Sequence, residues 1–135
     1  QRMKSQIINI PKFGTINVHL GLLPKYRGVF PIFHALIRDE TNIGVTVHMV
    51  NEQFDDGDII VQQKILISNG DNLFLLYEKA FKAVPDLLEK TIHKINTNTL
   101  ELKKNYKSKA SYYSFPSLNE ICTYKKKKKH GFRKL

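Results

Sequence analysis

A chain of 135 residues, 41% apolar and 25% charged, has the composition of one globular domain with its own core, which excludes a disordered chain. Its apolar runs all fall short of the ~18 to 20 residues of a membrane span, no apolar signal core follows Gln1-Arg2-Met3-Lys4, and the single Cys122 excludes an internal disulfide, so a cytoplasmic location without membrane contact is expected. The net charge of +10 belongs to one end, because residues 1–100 carry 11 basic and 10 acidic side chains whereas residues 101–135 carry 11 and 2.

In chain order, Ile7 to Ile10 and Thr15 to Val18 are short apolar runs, closed by Pro11 and by a Gly21 to Gly28 turn, and both read as brief strands. Pro31 opens a helix whose apolar positions Ile32, Phe33, Leu36 and Ile37 recur at helical spacing; it stops at Asp39 to Asn42. The β-branched stretches Ile43 to Val50 and Asp58 to Ile67 read as strands around the acidic loop 51–57. A cap near Asp71 then precedes a long helix to about Ile95, with Leu73, Leu76, Ala80, Val84, Leu87 and Leu88 along one stripe. Pro85 predicts a kink in it or two abutting helices. Asn96 to Asn105 reads as polar linker, Tyr112 to Pro116 as extended chain, and Ser117 as the cap of a last helix over 118–129. The Lys125 to Lys129 run reads as a solvated end; any phosphate contact falls to residues 103–134.

One constellation points to chemistry. Asn17 and His19, at i and i+2 of a strand, point to the same side, and a rigid Pro24–Gly28 turn follows the strand end, where ligands sit in open α/β sheets. An amide that donates and an imidazole that titrates near neutrality thus share one pocket, with acids Asp55, Asp56 and Asp58 available downstream. His34 and His48 read as structural or substrate-side residues. Lys25 and Arg27 are available to a substrate phosphate or carboxylate. No metal ligand set stands out.

At Asn17, His19, Leu22-Leu23-Pro24-Lys25-Tyr26-Arg27-Gly28, Gly44-Val45-Thr46-Val47-His48 and Asp55-Asp56-Gly57-Asp58-Ile59 the chain resembles the 10-formyltetrahydrofolate-dependent formyltransferases, over about Ile10 to Ile95. The resemblance implies an α/β fold, an incomplete Rossmann-like formyltransferase domain with a mixed sheet flanked by helices and lacking its N-terminal half. Residues 1–100 would be the C-terminal part of the catalytic domain and residues 101–135 a basic extension. Asn17, His19 and Asp55 would be catalytic. Gly21, Leu22, Leu23 and Pro24 would contact 10-formyltetrahydrofolate, the co-substrate. The chain departs from the family pattern at Leu20-Gly21, where a serine is usual at the second position.

In that reading Asn17 and protonated His19 donate to the developing oxyanion, while Asp55 orients His19 and binds a water that shuttles the proton. The implied acceptor is a primary amine on a small molecule, an amino-sugar nucleotide, because 35 residues are too few for the C-terminal domain of the methionyl-tRNA enzymes. tRNA and glycinamide ribonucleotide are the alternative acceptors, and an inactive remnant binding a partner through its sheet edge is the alternative role. A homodimer is an expected assembly.

Overall fold

The computed structural model describes residues 4–130, with side chains described through 128. The 1–3 part of the start, the Lys129 side chain and the 131–134 part of the expected basic surface lie outside the described residues.

Three strands form the main sheet in the order β1-β3-β4, all antiparallel: β1 Ile16–His19, β3 Asn42–Met49 and β4 Ile59–Leu66. The alternation of β3 explains both faces. Ile43, Val45 and Val47 are buried against the helices, and Thr46 and His48 lie on the opposite face. Asn17 pairs with His48 and His19 with Thr46, so these four side chains share that second face. Between Val47 and His48 the register with β4 slips, Val47 facing Val61 and His48 facing Ile59. Such an irregularity turns the strand ends that carry His48 and the 50–58 loop.

Helix α2, Pro31–Ile37, and helix α3, Leu73–Asn96, cover the apolar face. Asn72 caps α3, its side chain accepting from Leu75 N–H at 3.0 Å. Leu76, Ala80, Ala83, Leu87 and Thr91 form the buried stripe, so Ala83 and Thr91 join the predicted set and Val84 and Leu88 sit at its margin. One helix runs through Pro85 where two abutting helices were an alternative. Pro85 is on the exposed side, so the carbonyl it leaves unpaired meets water, while Ala83 and Leu87 hold both halves on the sheet.

The predicted first strand is a helical turn, α1 Ser5–Ile8. No strand pairs with it among the described residues; the backbone is instead satisfied locally, Ile8 N–H on Lys4 O and Asn9 N–H on Ser5 O. The polar linker makes a bridge, Ile59 and Lys103 exchanging two 2.8 Å bonds. A 3-10 turn at Lys107–Lys109 leads to β5, Tyr112–Tyr113, which pairs in parallel with β2, Arg27–Gly28. Ser117 and Glu120 then cap α4, Leu118–His130, reciprocally, and Tyr124 packs on Phe33 of α2 with ring centroids 5.5 Å apart.

Candidate active site

Asp55 stands at the centre of the polar face. Its Oδ2 accepts from Gly28 N–H at 2.8 Å and lies 3.5 Å from His19 Nδ1; its Oδ1 lies 3.5 Å from Asn17 Nδ2 and 3.6 Å from His48 Nε2. Asp55 also holds φ +49°, a left-handed backbone conformation that aspartate adopts more readily than most residues with a Cβ. Two residues on, the loop passes so close to Met49 that a Cβ on Gly57 would lie 1.7 Å from the Met49 carbonyl oxygen.

Both imidazoles have one nitrogen committed. His19 Nε2–H donates to Tyr26 O at 2.7 Å, and His48 Nδ1–H donates to Met49 O at 2.7 Å, since a carbonyl can only accept. The remaining nitrogens, His19 Nδ1 and His48 Nε2, face the Asp55 carboxylate. Unprotonated His48 Nε2 accepts from Asn17 Nδ2 at 3.2 Å. Neutral His19 instead points a bare lone pair at Asp55 Oδ2, so the gap between them is a seat for one proton. Burial holds the His19 pKa below its ordinary value despite the Asp55 charge and the Tyr26 bond, so a proton taken there is readily returned. Burial alone would raise the Asp55 carboxyl; the two imidazoles beside it, His48 and His19, and the Gly28 N–H together override it and hold the pKa below the usual value.

A cleft of about 180 Å³ opens beside this group, lined by Asn17, His48 and Asp55 together with apolar Ile16, Val50 and Phe54. His19 is buried behind it. The Gly21–Pro24 turn does not line the cleft. Gly21 lies against the His19 ring, where a Cβ would be 2.7 Å from Nε2. The turn's backbone is engaged internally: Thr46 Oγ1 donates to Gly21 O at 2.6 Å and Gln62 Nε2 to Leu23 O at 2.9 Å. Gly21 and Leu23 are buried, whereas Leu22 and Pro24 keep some exposed surface.

Arg27 is not available to a substrate phosphate. It is buried, paired with Asp56, and donates from Nη2 to Asn105 Oδ1 at 2.7 Å. Asp58 pairs with Lys104, so of the three neighbouring acids only Asp55 reaches the polar face. His34 is a structural residue, stacked on Tyr113 at 4.6 Å with its Nε2 3.0 Å from Ser114 O. His48 is the site residue that the sequence left unresolved. The available signal was its parity: β3 places it two residues beyond Thr46, opposite Asn17. Among the described residues no group of three or more His, Cys, Asp or Glu is placed to hold a metal ion, and no helix is long and apolar enough to cross a membrane.

The formyl transferase family model matches residues 3–92, two thirds of the chain and the whole of this polar face. The chain belongs to the formyl transferase family. It is 41% identical over 100 residues to the methionyl-tRNA formyltransferase of Wolbachia sp. subsp. Drosophila simulans, covering 74% of this chain and 33% of that protein. Among solved structures it resembles the N-formyltransferase from Helicobacter canadensis in complex with folinic acid and dTDP-3-aminofucose, at TM-score 0.70 and 30% identity, covering 81% of this chain and 45% of that one. It also resembles the formyltransferase from Anoxybacillus kamchatkensis in complex with tetrahydrofolate and a UDP-linked formamido sugar, at TM-score 0.74 and 25% identity, covering 95% and 62%. The chain spans about a third of the length of the curated relatives it matches.

Proposed function

We propose that this chain carries the reacting side chains of an enzyme that moves a formyl group from 10-formyltetrahydrofolate to a primary amine. The observation that carries the reading is the single Asp55 carboxylate, 3.5 Å from both the Asn17 amide nitrogen and His19 Nδ1, beside a cleft. The amine nitrogen attacks the formyl carbon, and the bond from that carbon to the folate nitrogen breaks. One proton must pass from the amine to that folate nitrogen. Asn17 Nδ2 turns the hydrogen that faces Asp55 Oδ1 at 3.5 Å to the oxygen that becomes negative. The His19–Asp55 gap takes up the proton and returns it, and His48 adds a second imidazole at the cleft wall. At about 180 Å³ the cleft suits the reacting ends of donor and acceptor and is smaller than the ~300 Å³ or more of a whole ligand site. Leu22 and Pro24 have surface left for the donor; Gly21 and Leu23 support the turn from below. Residues 1–100 thus hold the chemistry, with residues 101–135 as a basic extension whose described part packs against it.

The acceptor we propose is an amino-sugar nucleotide. Support comes from the resemblance to solved sugar-nucleotide complexes, at TM-scores of 0.70 and 0.74. A tRNA acceptor is the second reading, favoured by the 41% identity to a methionyl-tRNA enzyme. The test supplies the protein at its full natural length with 10-formyltetrahydrofolate and either a dTDP- or UDP-linked amino sugar or methionyl-tRNA, and identifies the product by mass spectrometry. The expected product is the formylated amino sugar. Asn17→Ala should lower the rate by about 100- to 1,000-fold, and His19→Ala should abolish turnover while folate still binds. Formylation of neither acceptor, or near-normal turnover by His19→Ala, would overturn the proposal.

A further inference from the structure

We infer that Asn105 is a positioning residue for this reaction, reaching from the basic extension to hold the loop that presents Asp55; the inference rests on the reading of Asp55 above. Asn105 lies 50 positions from Asp55 and beyond the family-model match, yet it is buried at 3% exposure under the loop. Its amide is fully engaged there. Nδ2 donates to Asp55 O at 2.9 Å and to Gly57 O at 3.0 Å, while Oδ1 accepts from Arg27 Nη2 at 2.7 Å. Arg27 in turn pairs with Asp56, the residue between those two carbonyls. The Asn105 backbone is tied as well, its N–H donating to Asp58 Oδ1 at 3.3 Å.

This arrangement answers a question the site poses. Asp55 turns the loop through a left-handed conformation, and its carboxylate faces two imidazole nitrogens without a short bond to either. Two groups fix it instead. Gly28 N–H holds the carboxylate from one side, and Asn105 holds the Asp55 carbonyl from the other. Both supports reach into the extension, because Gly28 belongs to the β2 strand that pairs with Tyr112–Tyr113. An amide suits the position because it donates two hydrogens to carbonyls while accepting one from a guanidinium. A carboxylate of the same shape could only accept.

The test uses the full-length protein with Asn105→Ala, Asn105→Asp and Asp55→Asn, singly and with Asn105→Ala combined with Asp55→Asn. Asn105→Ala should lower kcat by about 100-fold, the loss expected for a reacting group displaced by an ångström, with the acceptor KM little changed. Asn105→Asp keeps the shape and the Arg27 bond but loses both donations, so it should also lower kcat while remaining folded by circular dichroism. In the Asp55→Asn background the Asn105→Ala change should cost nothing further, a non-additivity that a purely structural role would not produce. The ring-proton resonances of His19 and His48 should move in Asn105→Ala in the direction they move in Asp55→Asn, and this comparison decides where the double variant is too slow to assay. Parental kcat in folded Asn105→Asp, an equal loss in both backgrounds, or unmoved imidazole resonances would overturn the inference. If Asp55→Asn itself transfers formyl at the parental rate, the proposed function fails, and the imidazole resonances still judge the brace.

Discussion

Replacing Gly57 by Ala tests the packing that sets Asp55. The Cβ would lie 1.7 Å from the Met49 carbonyl oxygen and 2.6 Å from its carbonyl carbon. Neither atom can yield, because Met49 ends β3, pairs with Ile16 and donates its N–H to Asp58 O at 2.9 Å. The loop itself must retreat until the contact reaches the 3.0 Å below which real Cβ atoms are essentially never found, a movement of about 1.3 Å, more than the ~1 Å misplacement that already costs a reaction about 100-fold. The Met49–Asp58 and Asn105–Gly57 bonds cross or border the same gap and stretch beyond bonding range. Two lost bonds at about 0.5–1.5 kcal/mol each and overpacking at about 1–3 kcal/mol give a loss of roughly 2–6 kcal/mol. In urea unfolding followed by circular dichroism, with m of about 1–2 kcal/mol/M, the midpoint should fall by at least about 1 M. Gly70→Ala is the control. Gly70 has φ +87° but nothing within 4 Å of a new Cβ, so it costs only the left-handed penalty of about 1–2 kcal/mol. A Gly57→Ala protein as stable as the parent, or no worse than Gly70→Ala, would refute the reasoning.

Three further outcomes are expected. Ile32→Ala removes a fully buried side chain between α2 and the sheet and should cost about 2–5 kcal/mol in urea unfolding, whereas Phe74→Ala on the exposed side of α3 should stay within about 0.5 kcal/mol of the parent. The His19 pKa lies below 6.5 in the folded chain, so its contribution to stability is complete above pH 6.5 and is lost as pH falls toward the folded value; the urea midpoint of the parent relative to His19→Gln should therefore decline below pH 6.5, and a rise would contradict the burial argument. Glu120 is held at about 2 by the Ser117 N–H and Arg38, so its hold between α4 and α2 is complete above the ordinary 4.5 and is lost only as pH falls through about 2. Amide exchange in α4 should accelerate in Glu120→Gln at neutral pH, and unchanged protection would show that Tyr124 and Lys127 suffice to dock the helix.

Local pattern carried most of the secondary structure because its signals are short-range. Pro31, the alternation from Ile43 to Met49 and the stripe through Leu76, Ala80 and Leu87 each act within a turn or two, and the cap falls on Asn72, one residue past the expected Asp71. The run Ile7 to Ile10 has the local pattern of a strand and is not one, for the same reason. A strand needs a partner that local sequence does not name, and without one the backbone closed on itself as a helical turn. Pro85 leaves open in sequence whether one helix or two forms, since its cost depends on whether the freed carbonyl meets water, and that is a property of the packed helix.

The candidate site divides along the same line. Residue types and the two-residue spacing of a strand were enough to put Asn17 and His19 on one face, and the order of motifs was enough to name Asp55. Which neighbours they meet was decided by pairing register and long-range closure. Register brought His48 opposite Asn17. Chain closure over tens of residues turned Arg27 inward onto Asp56 and carried Asn105 beneath the Asp55 loop. Those contacts depend on which surfaces compete for burial once the whole chain has collapsed, and no window of the sequence contains both partners.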